Sequence, residues 1–218
     1  IINRLEDHVA SARMKTTPVI DFEKNESLKG LDYLDTIYHA IVNEHPIQLK
    51  YRSFKARSAN SFIFYPYLLK EYRNRWFVYG VRGNGRILQN LALDRIQSLE
   101  VLPQEHYIKN TFFDPNTFFN DLVGVTKNSG SVAEKVGFKV AAAEAPYIIT
   151  KPIHRSQQVV ERLADGSVIL EIEVVINHEL ERVFFGYAEG IQVLYPKTLV
   201  ELMGRKLKKA AEQYTHSK

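Results

Sequence analysis

"NRWFVYGVRGNGRILQNLALDRI", Asn74 to Ile96, is the stretch on which the fold turns. "RWFVYGV" and "RILQNLAL" are rich in β-branched and aromatic side chains, and "RGNGR" between them supplies the turn residues of a hairpin. Arg75, Arg82, Arg86 and Arg95 stand among Trp76, Phe77 and Tyr79. A small sheet does not need so many guanidinium groups for its own stability. A surface that holds an anion does, because the planar fork stays charged and donates paired hydrogen bonds.

The pattern extends outward from this hairpin. In "IQLKYRSF", Leu49, Tyr51 and Ser53 fall on one face, with Lys50 and Arg52 on the other. "SFIFYPYLLKEY" reads as another strand, in which Pro66 suggests an edge or a bend. "RIQSLEVL" completes five short strands with no helix between them. A sheet so small is expected to close into a barrel and so remove its edges.

Charge is concentrated here. Pro46 to Leu102 holds ten Lys or Arg and three acids, whereas the rest of the chain holds 19 basic and 22 acidic side chains. A basic segment inside an acidic chain makes a local positive field, which attracts phosphate and other anions. A merely solvated basic face is the alternative reading.

The flanking segments have other rhythms. Ile1, Leu5, His8, Val9 and Ala12 lie near helical spacing, and Thr16 to Asn25 reads as a linker. Ser27 is a candidate cap for a second helix, with Leu31, Leu34, Ile37, Tyr38 and Ile41 as its apolar stripe and "EHP" at 44–46 as its end. "NTFFDPNTFFNDLVGV" and "KNSGS" break the strand pattern and read as a connection between domains. After it, "KVGFKVA", "AAEAPYII", "QQVVERL", "SVILEIEVVI", a helix capped by Asn177, and "IQVLY" give the order βαββαβ. That is the order of a ferredoxin-like sandwich. A last helix carries Leu199, Leu202, Met203, Leu207, Ala210 and Tyr214. The expected fold class is therefore α+β. The expected boundaries are linker helices at 1–44, the barrel at 45–104, a connecting segment at 105–130 and the ferredoxin-like domain at 131–218.

These stretches resemble a known family. "IQLKYRSF", "YPYLL", "RWFVYG" and "RILQNLALDRI" resemble the WYL domain, and "PIHRSQQVV" with "VILEIEVVINHELERVFFGYAEGIQVLYPKTLVELMGRKLKKAAEQY" resembles the WCX extension that follows it. The resemblance covers residues from about 28 to 214. It implies a Sm- or SH3-like barrel that senses a nucleotide or nucleic acid, an extension that helps form a homodimer, and a bacterial transcriptional regulator. Such regulators carry an N-terminal winged helix-turn-helix that contacts DNA. This chain begins at Ile1 rather than Met, and the expectation is a fragment without that reader. The name motif here is Trp76-Phe77-Val78, so the motif tyrosine hydroxyl is lost at Phe77, and Leu91 stands where an aromatic is common.

The resemblance points to Tyr51, Ser53, Arg86 and Arg95 as a ligand pocket, with Arg75 beside it. Tyr51 would stack on a base or donate its hydroxyl, Ser53 would bond a phosphate oxygen, and the arginines would supply charge. Each has a plainer reading: Tyr51 as core, Arg95 as the partner of Asp94, Arg75 as a solvated edge charge. Trp76 reads as a core residue rather than a stacking platform. His154, Arg155 and Gln157 stand at the opening of the second C-terminal strand, where the resemblance hints at a dimer contact and a polar edge strand is the simpler account.

Other chemistry finds little support. Cysteine is absent, which excludes a disulfide framework and suits a reducing cytoplasm. "HELE" at 178–181 lacks the second histidine of a zinc protease motif, and "GVRGNGRI" lacks the lysine of a P-loop. No enzyme activity, metal, cofactor or membrane span is expected. Two further readings stand beside the regulator: a stand-alone binder of single-stranded nucleic acid, and a regulatory module of an enzyme in a missing portion.

Overall fold

The computed structural model describes residues 29–83, 85 and 87–215. The chain forms two antiparallel sheets with helices packed on them, a mixed α+β fold. A helix, α1 (Leu34–Val42), precedes five strands: β1 (Ile47–Tyr51), β2 (Asn60–Tyr72), β3 (Arg75–Arg82), β4 (Gln89–Ala92) and β5 (Ile96–Val101). Their order in the first sheet is β4-β3-β2-β1-β5.

The alternation in β1 explains the core. Ile47 and Leu49 are fully buried and meet Ile37 and Ala40 of α1, with Phe64, Val78, Leu91, Leu93 and Ile96. Each such aliphatic side chain stabilises the fold by roughly 1.5–3 kcal/mol through burial. Leu31 and Tyr38, expected on the buried stripe of this helix, are about half exposed instead. The face that packs is set by Leu34, Ile37, Ala40 and Ile41. The expected first helix, residues 1–15, and the Ser27 cap lie outside the described residues.

Two corrections concern the sheet. Pro66 does not mark an edge: β2 lies in the middle, and a register shift between Pro66 and Leu68 absorbs the missing N–H. Its partner Gly80 has no room for a side chain, because a Cβ there would strike the Tyr65 carbonyl and the Phe64 ring. Nor is the sheet closed by strand pairing. β4 and β5 are its two edges, and a helical turn, Leu93–Arg95, uses the residues that would begin a ladder between them.

The second sheet has β6 (Glu134–Val140), β7 (Gln158–Arg162), β8 (Val168–Val174) and β9 (Ile191–Tyr195), in the order β7-β8-β6-β9. The helices α2 (Ala145–Thr150) and α3 (His178–Gly186) follow β6 and β8, and α4 (Lys197–Thr215) ends the described chain. Val168, Leu170, Ile172 and Val174 all point inward, as their period of two requires. Leu180 and Phe184 of α3 and Leu199 and Met203 of α4 complete that core. Leu207 and Tyr214 are exposed, so the apolar side of α4 is buried only over its first turns.

The connecting segment is packed. Phe113 and Val125 are buried against Tyr79, with Phe118 and Phe119 beside them. Tyr79 stacks on Phe113 with ring centroids 5.9 Å apart, and its hydroxyl donates to the Val125 carbonyl. Asn90 Nδ2 donates to the same carbonyl at 2.9 Å. From the other side, Asn177 Nδ2 donates to the carbonyls of Val123 and Thr126, both at 2.9 Å, while its Oδ1 accepts from the Leu180 amide and caps α3. Residues 123–126 are thus held by side chains of both halves. Among the described residues no helix is long and apolar enough to cross a membrane.

Candidate functional site

A cavity of about 310 Å³ opens where β1 ends and the Leu93–Arg95 turn enters β5. Arg52, Ser53, Phe54, Asp94, Arg95 and Gln97 line it, with Ile96. The place is created by a bulge: the β1–β5 register shifts between Lys50 and Tyr51, and the Arg52 amide then donates to the Arg95 carbonyl at 3.2 Å. Bulges re-aim side chains at the rims of sheets, and this one turns "RSF" away from the ladder.

Arg95 is the centre of the site. Its guanidinium lies 4.4 Å from the centroid of the Phe54 ring, a cation–π contact with a well exposed aromatic. Its Nε is buried and finds no hydrogen-bond acceptor among the described residues. Asp94 Oδ1, 4.0 Å away, is likewise buried without a donor. Asp94 Oδ2 instead faces Arg75 Nε at 3.4 Å. Unpaired buried polar atoms of this kind are costly and call for a partner. Burial pushes the Tyr51 hydroxyl above its ordinary value, while the nearby Arg95 charge and the Ala92 backbone pull it back.

The expected site residues are therefore brought together in part. Ser53 and Arg95 line the cavity, and Tyr51 lies within electrostatic reach of Arg95. Arg75 reaches the same Asp94 without lining the cavity, and its guanidinium is committed to that carboxylate. Arg86 lies outside the described residues. Arg82 stacks on Phe62 at 4.1 Å, away from the site. Of the described arginines in the opening stretch, Arg75 and Arg95 meet at Asp94 and Arg82 does not. Arg52, Phe54 and Gln97 were not singled out as site residues from the sequence; Asp94 was expected as the partner of Arg95, and the two form an ion pair at 4.0 Å. Phe54 breaks the alternation that made Ser53 visible, because β1 stops at Tyr51.

His154, Arg155 and Gln157 do not open a strand; β7 begins at Gln158. They tie down the loop before it. His154 Nδ1 lies 2.7 Å from the Ser156 hydroxyl and 3.2 Å from the Ser156 amide, while its Nε2 is buried without a hydrogen-bond partner among the described residues. Burial holds this imidazole below its ordinary pKa. Arg155 Nη1 donates to Asn120 Oδ1 at 2.6 Å, and Gln157 Nε2 donates to the Ile148 carbonyl at 2.9 Å. Among the described residues there is no group of three or more His, Asp or Glu side chains that could hold a metal.

Comparison with known proteins identifies two domains. The WYL domain family matches residues 32–101, and the WCX domain family matches residues 133–211. No curated protein matches the chain. Among solved structures, the chain is similar to the proteasome accessory factor B/C (PafBC) of Arthrobacter aurescens, at 17% identity and a TM-score of 0.38, covering 88% of this chain and 28% of that one. It is also similar to a CRISPR Cas-related protein, at 13% identity and a TM-score of 0.48, covering 83% of this chain and 50% of that one. The chain thus spans half or less of the length of either structure.

Proposed function

We propose, for a chain that carries a WYL domain followed by a WCX domain and so belongs to the WYL-domain family, that it is the ligand-sensing region of a bacterial transcriptional regulator. The observation that carries this reading is the buried Arg95 Nε at the 310 Å³ cavity, without an acceptor and beside the exposed ring of Phe54. A phosphate oxygen would satisfy the guanidinium, and a base would stack on the aromatic. The ligand class is a nucleotide or a short single-stranded nucleic acid. Arg75 and Arg95 both pair with Asp94, the one carboxylate lining the cavity, and Arg52 adds a further cation to the lining, which leaves the site positive.

The finer architecture is part of this proposal. The order β4-β3-β2-β1-β5 supports a Sm- or SH3-like sheet that wraps toward a barrel. The order β7-β8-β6-β9, with helices after β6 and β8, supports a ferredoxin-like second half. Homodimer formation, a helix-turn-helix elsewhere in the protein and a cytoplasmic location follow from the family reading. A non-enzymatic role goes with them. Signalling requires that the ligand favour one arrangement of the two halves over another, since equal binding to both would shift nothing.

The test is anisotropy with a fluorescent, 5′-phosphorylated single-stranded oligonucleotide at several salt concentrations. Binding weakens steeply as salt rises, because phosphate contacts release counterions. Arg95→Ala weakens it by about tenfold or more, the equivalent of one charge-assisted contact of roughly 1.5–3 kcal/mol. Absence of binding at low salt, or an unchanged affinity in Arg95→Ala, rejects the proposal.

A further inference from the structure

A larger cavity, of about 500 Å³, lies between the two halves and shares no residue with the Arg95 site. Three cations reach it from three separate elements. Arg73 comes from the turn between β2 and β3, Lys151 from the end of α2, and Arg182 from α3. Tyr72 and Tyr187 flank them, and Gly124 of the connecting segment forms part of the wall. Ion pairs elsewhere in the molecule employ other side chains: among the described residues none of Arg73, Lys151 or Arg182 is paired with a carboxylate.

The turn that carries Arg73 is unusual. Arg73 and Asn74 have φ of 50° and 59°, the left-handed region that a two-residue hairpin turn requires. Asparagine and glycine suit such positions, whereas arginine is strained at the first of them. Strain kept in a folded protein often marks a functional position. Gly124, at φ 90°, has its open side against Glu179. That carboxylate accepts from Thr126 Oγ1 at 2.7 Å and, with Arg73 and Arg182, lies within electrostatic reach of the Tyr72 hydroxyl. Three cations against one neighbouring acid leave the cleft positive.

We propose that this cleft is a second ligand site, for a small phosphorylated molecule of about mononucleotide size that bridges the two halves. The phosphate sits among Arg73, Lys151 and Arg182, whose donors approach from different directions. The organic part lies along Tyr72, Tyr187 and the aliphatic wall of Ile153 and Val183. A volume of about 500 Å³ suits such a ligand, since small-molecule sites commonly span some 300–1,000 Å³. One cation belongs to the first half and two to the second. Occupancy therefore stabilises the arrangement in which they meet, by an amount that grows with the logarithm of ligand concentration above the dissociation constant. This proposal does not depend on the Arg95 site.

Calorimetry at low salt with adenosine 5′-monophosphate, with inorganic phosphate as a second probe, tests it. Wild type binds the nucleotide. In an Arg95→Ala background, which silences the first site, the nucleotide still binds; adding Arg73→Ala or Arg182→Ala weakens that binding by about tenfold, and the triple variant gives no measurable heat. All three cations of the cleft are exposed, so circular dichroism of the variants stays native. Affinity in the triple variant equal to that of Arg95→Ala overturns the proposal. So does loss of binding in Arg95→Ala, which would put the nucleotide in the other cavity, and so does the absence of heat with both probes at millimolar concentration.

Discussion

Asn177→Ala removes three hydrogen bonds from one buried side chain. The oxygen caps α3 through the Leu180 amide, and the two amide protons go to the Val123 and Thr126 carbonyls, all at 2.9 Å. Loss of the cap costs about 1 kcal/mol. Each carbonyl stripped of its donor costs about another 1 kcal/mol. The expected total is about 3 kcal/mol, which for a chain of this length lowers the melting temperature by roughly 6–12 °C. Asn177→Ser separates the contributions, since a serine hydroxyl still caps the helix but cannot reach both carbonyls; its cost is about 2 kcal/mol. Urea unfolding followed by far-ultraviolet circular dichroism measures both values. The chain has one tryptophan, Trp76, which lies in β3 against the first core, so its fluorescence reports the other half independently. In wild type the two signals unfold together, and in Asn177→Ala the Trp76 transition moves less than the backbone transition. A loss below about 0.5 kcal/mol for Asn177→Ala, or equal losses for alanine and serine, refutes the clamp at residues 123–126.

Two other outcomes are expected. Burial lowers the pKa of His154, with Arg155 adding to the effect while the Asn120 backbone and Asp121 oppose it, so the unfolded chain takes up a proton that the folded chain refuses. Stability is then complete above about pH 6.5, the ordinary imidazole value, and declines as the pH falls below it; His154→Asn flattens that decline in urea titrations at pH 7.5 and 5.5, and an unchanged slope contradicts it. Asp94→Asn removes the carboxylate of the Arg95 site and raises affinity for the 5′-phosphorylated oligonucleotide by about fivefold, corresponding to roughly 1 kcal/mol of partly screened repulsion; weaker binding in that variant opposes the electrostatic reading.

Much of the fold is legible in the chain wherever one face of a strand is wet. Val168, Leu170, Ile172 and Val174 alternate with polar residues, and all four are buried. Asn177 before an apolar helical stripe announces its own cap. Where the chain turns without a period, the pattern says nothing. Phe113, Phe118 and Phe119 read as an interruption, yet with Tyr79 they form an aromatic cluster that joins the connecting segment to the first sheet. The edge reading of Pro66 fails where its other reading, a bend, fits the register shift, and the end of β1 at Tyr51 is hidden for a related reason, since bulges shift the register on which alternation depends. At the site, family resemblance pointed to Ser53 and Arg95, which line the cavity, and the sequence offered Asp94 as the partner of Arg95, but the ring that supports the guanidinium came only from the geometry. The interdomain cleft was invisible in sequence, because its three cations are brought together by the packing of elements far apart along the chain.

Nitrogen-15 spectra of the arginine Nε–H groups offer the most direct measurement on the Arg95 site. Arg95 Nε–H is buried without a hydrogen-bond acceptor among the described residues, 4.0 Å from Asp94 Oδ1, so its resonance is distinct from those of solvated arginines. Titration with the 5′-phosphorylated oligonucleotide shifts this resonance strongly and protects it from exchange, while Arg82, stacked on Phe62, stays where it was. An Arg95 signal that does not move while the oligonucleotide binds would contradict the assignment of this cavity as the sensor.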